Sequence, residues 1–179
     1  KHGERYGYNY WKKMEGVNVV TLSESWTEKL KKYIGESTPM INPVDPSIEA
    51  STKERSTTQF LIMGRPDPVK GHTDAIALVQ KLRNDGGNFT LTATGIKAAS
   101  ENWVDAKGWV SEEEKRELLH TSKALLVPSS YEGQPLIILE ALASGCPVIA
   151  SSAVPDLPSC VSSIPLDDNE GWAEAMVNP

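Results

Sequence analysis

A doubly wound α/β domain, a Rossmann-like parallel sheet with helices on both faces, is the fold class that this 179-residue sequence predicts. Three observations predict it. Short runs that are apolar throughout, at residues 60–63, 124–127 and 147–150, have the composition of strands buried on both faces. Segments with apolar residues at helical spacing lie between them. Glycine or proline closes most segments, so strand and helix alternate over short connections.

Each element has its own signal. Residues 17–22 are short and β-branched and predict a buried strand. Ser25 and Glu28 have capping-box spacing, and Trp26, Leu30, Tyr33 and Ile34 then recur as a helix that Gly35 stops. Ahead of that strand, Tyr6, Tyr8, Tyr10 and Trp11 stand beside Arg5, Lys12 and Lys13, an aromatic stripe suited to helix packing, a membrane surface or a sugar. Residues 35–58 are rich in Pro, Ser and Thr without periodicity, as a linker is. After the strand at 60–63, a helix is predicted over 73–84, with Ala75, Ile76, Val79 and Leu82 on one face. Phe89, Leu91 and Ala93 alternate with polar residues up to Gly95, and residues 107–111 read as another short strand. Ser111 and Glu114 form a second capping box ahead of Leu118 and Leu119. The strand at 124–127 stops at Pro128, and Pro135 suits the first turn of a helix that ends before Gly145. A strand at 147–150, another over 163–166 and a helix over 170–177 complete the pattern.

Composition excludes several functions. The formal charge of −6 argues against a nucleic-acid binder. Residues 1–34 carry net +3 and the remainder −9, a shift that hints at a boundary near residue 35. Two cysteines are too few for a disulfide scaffold, and three scattered histidines lack metal-ligand spacing. No apolar run approaches the ~20 residues that span a bilayer.

In a doubly wound sheet, ligands bind beyond the carboxyl ends of the strands. After residues 60–63 comes Gly64–Arg65–Pro66–Asp67–Pro68–Val69–Lys70–Gly71. Its two cations suit a diphosphate, though they would also suit a solvated turn. After 124–127 come Glu132, Gly133 and Gln134, then the helix. A helix start offers backbone N–H groups, here of Gly133, Gln134 and Leu136, to an anion, and Glu132 can accept sugar hydroxyls. Glu140 is the only polar side chain between Leu136 and Ala143. A helix apolar nearly all round is expected to be buried, so this carboxylate needs a partner: ribose hydroxyls, or a neighbouring Arg, Lys or amide. Trp109, beside Val110, offers a face either to a base or to packing.

These residues together identify a resemblance. Glu132 and Glu140, followed by Ala141–Leu142–Ala143–Ser144–Gly145–Cys146–Pro147–Val148–Ile149–Ala150, closely resemble glycosyltransferase family 4, a retaining group with the GT-B fold. Gly64–Arg65 and Lys70–Gly71 resemble its phosphate loop, and Gly108–Trp109–Val110 its base-contacting loop. Ile41–Asn42–Pro43–Val44–Asp45 is similar to its interdomain motif, with Pro43 in place of the usual Gly. Leu142 stands where Met is usual.

The resemblance implies a retaining glycosyltransferase that takes a sugar from a nucleotide-diphosphate donor to a glycan or lipid acceptor. Arg65, Lys70 and Glu132 become the catalytic candidates, Arg65 and Lys70 as holders of the diphosphate. Gly64, Val110, Gly133, Gln134, Leu136 and Glu140 complete the nucleotide-sugar site, with Glu140 on the ribose and Val110 by the base. No cofactor or metal is implied beyond the donor substrate. The implied domains are the end of an amino-terminal acceptor domain at 1–40, a linker at 41–58 and the donor-binding carboxyl-terminal domain at 59–179, truncated at Pro179. Acceptor contacts would belong to the missing amino-terminal part, so this chain alone would be inactive. The family's setting is cytoplasmic, with peripheral membrane contact in some members. A GT-B type nucleotide-sugar 2-epimerase and a non-catalytic nucleotide-binding module are the alternatives.

Overall fold

The structure, a computed structural model, describes residues 16–179. The aromatic stripe at Tyr6, Tyr8, Tyr10 and Trp11 lies outside the described residues. The chain divides into two compact units, Lys1–Pro43 and Val44–Pro179.

In the first unit, β1 (Val20–Thr21) pairs in parallel with β2 (Thr38–Pro39) across α1 (Glu24–Ile34). The cap of α1 is Ser23, whose hydroxyl accepts from the Trp26 amide at 3.4 Å, so the box expected at Ser25 and Glu28 is not the one used. Gly35 ends the helix at φ +74, donating its amide to Lys31. The buried strand expected at 17–22 is overturned. Among the described residues of that stretch only Val20 and Thr21 pair as strand, and Val17 and Val20 are each 53% exposed. A two-stranded ribbon has too little sheet to bury β-branched side chains on both faces.

The second unit is the predicted doubly wound fold. Six parallel strands are β3 (Gln59–Ile62), β4 (Thr90–Thr94), β5 (Val104–Gly108), β6 (Ala124–Val127), β7 (Val148–Ser151) and β8 (Ser162–Ile164). Their order in the sheet is β5-β4-β3-β6-β7-β8. The chain walks outward from β3 to β5, then returns to the other side of β3 and walks outward to β8. The switch point lies between β3 and β6, where Phe60 faces Ala124 and Leu61 faces Leu125. The helices are α2 (His72–Asn84), α3 (Glu112–Thr121), α4 (Leu136–Ala143) and α5 (Asn169–Val177).

Strand alternation divides the core in two. Phe60, Ile62, Leu126 and Ile149 point to one face, where Val79 and Leu82 of α2 meet Trp172 and Met176 of α5. Leu61, Leu125, Val127 and Val148 point to the other, against Leu118 and Leu119 of α3 and Ile138 and Ala141 of α4. Trp172 and Phe60 are fully buried, and each large apolar side chain so placed contributes about 1.5–3 kcal/mol. The strand predicted at 107–111 lies earlier, as β5, and Ser111 then caps α3 by accepting from the Glu114 amide at 3.1 Å.

The Pro- and Ser-rich stretch after Val44 is strapped to the second unit. Arg55 donates to the carbonyls of Leu119, Ser122 and Ser144 at 2.6, 3.2 and 2.9 Å. The Ser51 amide donates to Ser144 and the Ser56 amide to Thr121. One guanidinium thus ties together the carboxyl ends of α3 and α4.

Candidate functional site

A cavity of about 520 Å³ opens at the carboxyl ends of β3, β4 and β5. Gly64, Arg65 and Lys70 line it from the loop after β3, and Thr94 from β4. Trp109 and Val110 follow β5, Glu112 and Lys115 come from α3, and Leu136 and Glu140 from α4. The sheet order explains why these distant residues meet, because loops on either side of a switch point diverge and leave a crevice.

The basic loop is shaped by local chemistry. Asp67 caps a single 3₁₀ turn at Pro68–Lys70, accepting from the Val69 amide at 3.0 Å. Gly71 follows with φ +73, and a Cβ there would collide with the Pro128 carbonyl at the end of β6. Only glycine satisfies both the left-handed backbone and that close approach. Gly95 is similar, at φ +83, since a Cβ would strike the Gly64 carbonyl. The loops after β3, β4 and β6 are thereby pressed together.

Lys70 and Glu132 meet across the switch point. Lys70 Nζ lies 2.6 Å from Glu132 Oε1, with side chains 24% and 10% exposed. Ser129 donates to the same oxygen at 2.9 Å. Lys70 therefore carries a carboxylate partner, whereas Arg65 is exposed and its guanidinium makes no hydrogen bond among the described residues.

The structure brings six of the nine candidates onto one cavity wall: Gly64, Arg65, Lys70, Val110, Leu136 and Glu140. Glu132 stands off that wall and reaches it through Lys70. Gly133 and Gln134 lie on the loop between β6 and α4 and do not line the cavity.

Glu140 has a protein partner, Lys115, at 3.1 Å. The expectation that α4 would be buried all round is corrected: Ile138 and Ala141 are buried, but Leu136 is 47% exposed on the cavity. An eight-residue helix at a crevice edge has one face to bury, and its remaining apolar side chains border open space. Lys115 also bonds Glu112, one turn earlier, at 2.6 Å. Burial alone would lower the Lys115 ammonium's pKa, but the hydrogen bonds and charges of Glu112 and Glu140 together outweigh it and hold the group above its ordinary value.

Sequence reasoning missed Lys115 because it sits in a run of six charged residues. A signal was present. Positions 115, 118 and 119 share a helix face, and Leu118 and Leu119 are buried, so Lys115 stands on the inward side of α3. Trp109 is 70% exposed at the rim. Among the described residues no group of three or more His, Cys, Asp or Glu could hold a metal ion, and no helix is long and apolar enough to cross a membrane.

Known proteins give this geometry a context. Over 162 residues the chain is 28% identical to a glycogen synthase of Mycobacterium tuberculosis, covering 79% of this chain and 39% of that protein. An MMP alpha-(1->4)-mannosyltransferase of Mycolicibacterium hassiacum is 36% identical over 78 residues, covering 44% of this chain and 18% of that protein. The chain spans about two fifths of the length of the glycogen synthase it matches. Among solved structures, TarM superposes with a TM-score of 0.78 at 20% identity, over 99% of this chain and 39% of that one. AviGT4, a glycosyltransferase involved in avilamycin A biosynthesis, gives 0.68 at 22% identity, over 89% and 53%. At such identities the structural likeness carries the fold alone. The family described as glycosyl transferases group 1 matches residues 44–163, two thirds of the chain, and this protein belongs to that family.

Proposed function

We propose that this chain forms the donor side of a retaining, family 4 type glycosyltransferase and binds a nucleotide-diphosphate sugar in the cavity at the switch point. The observation that carries this reading is the meeting of Arg65, Lys70, Val110 and Glu140 on one cavity wall. Two cations and a ribose-type carboxylate then line one space large enough for a nucleotide. Glycosyl transfer by related proteins, named as a glycogen synthase and a mannosyltransferase, supports the reaction class. A TarM structure determined with UDP supports the donor class.

In this reading Arg65 and Lys70 hold the diphosphate and stabilise charge as it departs. The bond between the sugar's anomeric carbon and the phosphate oxygen breaks. A bond from the acceptor hydroxyl forms on the same face, and the hydroxyl proton passes to the departing phosphate oxygen. Glu132, held by Lys70 and Ser129, meets the donor sugar, while Glu140 takes the ribose hydroxyls and backbone atoms around Val110 meet the base. The acceptor is a glycan or lipid. No cofactor enters the scheme.

Calorimetric titration with UDP-, GDP- and ADP-sugars tests the assignment. One of them is expected to bind, with Arg65→Ala and Glu140→Ala each weakening it at least tenfold, the loss of one charge-assisted contact of about 1.5–3 kcal/mol. Absence of binding, or variants that bind as well as the parent, would overturn it.

A further inference from the structure

We infer that Lys115 positions Glu140 to accept the paired hydroxyls of a ribose, and so makes the cavity prefer ribonucleotides to 2′-deoxyribonucleotides. The inference rests on the nucleotide-sugar reading of this same cavity. Glu140 stands among apolar neighbours on α4 with its side chain 21% exposed. Its Oε1 accepts from Lys115 at 3.1 Å, and among the described residues nothing donates to Oε2. One oxygen is therefore held while the other keeps its lone pairs for whatever enters the cavity.

Lys115 is itself fixed. Its side chain is 19% exposed, and its ammonium is shared between Glu112 on α3 and Glu140 on α4. A surface lysine wanders among rotamers, but this one is clamped by two carboxylates from two elements. A vicinal diol needs two acceptor sites at fixed spacing, so the carboxylate's rotamer decides whether both hydroxyls are satisfied or only one. The same clamp argues against Lys115 as a further diphosphate cation. Its charge is already matched by two carboxylates, whereas Arg65 is open.

The experiment compares each of UDP, GDP and ADP with its 2′-deoxy counterpart by calorimetry. The wild-type chain is expected to prefer the ribonucleotide by about tenfold, the worth of one hydrogen bond to a charged acceptor. Lys115→Met should narrow that ratio several-fold while the deoxynucleotide binds nearly as before, and Lys115→Arg should restore part of it. Lys53→Met, which removes the partner of Glu117 on α3 away from the cavity, should leave the ratio unchanged. An unchanged ratio in a folded Lys115→Met, or equal weakening of both nucleotides, overturns the inference. So does loss of both together, which would make Lys115 a general anion contact. If the wild-type chain binds none of the three ribonucleotides, it is the nucleotide-sugar reading that fails. If it binds them and Glu140→Gln loses the ratio while Lys115→Met keeps it, that reading stands and only the role of Lys115 falls.

Discussion

Lys70 answers to two anions. It holds Glu132 at 2.6 Å, and in the proposed reaction it also holds a phosphate. An ammonium has three donors, so it can serve both, but a neighbouring carboxylate lowers its attraction for a dianion. Glu132→Gln should therefore bind nucleoside diphosphate several-fold more tightly than the parent. The sugar-bearing donor should gain less, because the same change weakens an acceptor for the sugar hydroxyls. The ratio of the two affinities, measured by calorimetry, checks this. A ratio equal to the parent's would separate Glu132 from the sugar. Arg65 and Glu140 could be read from charge and isolation in the sequence. The pairing of Lys70 with Glu132 could not, because 61 residues lie between them and only the β3–β6 neighbourhood joins them.

At the scale of elements, the strap carrying Arg55 matters most. Its guanidinium satisfies three carbonyls at the ends of α3 and α4, the groups that a helix leaves unpaired. Arg55→Met should cost about 2–4 kcal/mol of unfolding free energy, the sum of several lost bonds to acceptors on buried residues. Urea denaturation followed by circular dichroism reads this as a lower midpoint with an unchanged slope. Although β5 lies earlier than the strand expected at 107–111, helices α2, α3 and α5 and most strands of the large sheet follow from local periodicity. The strap does not, since its residues resemble a linker until the helix ends they cap are in place.

The whole molecule has an alkaline limit built into its core. Burial holds the Cys146 thiol above its ordinary value, with the Arg55 charge opposing it. Lys115 is held above its ordinary value by its carboxylates. Both groups are raised on folding, so the stability they contribute is complete below their unfolded values and is lost as pH rises through their folded ones. The first loss begins above about 9.0, where an unfolded thiol ionises, and the second above about 10.5. Melting temperature should be flat for these groups through neutral pH and fall above pH 9. Cys146→Ala, with the same pH series, should delay the onset toward the lysine range.

What this sequence determined by itself was the alternation of strand and helix, hence the parallel sheet, and the identity of the charged residues after its strands. Those are local properties, since apolar run length and glycine stops act within a few residues of each other. The family resemblance rested on the same short motifs. Tertiary structure alone decided which of those residues share a wall. It put Gly133 and Gln134 off the cavity and added Lys115 to it. It exposed the strand expected at 17–22 and made a clasp of Arg55. Each of these depends on which element packs beside which, and strand order is set by burial summed over the whole sheet rather than by any one segment.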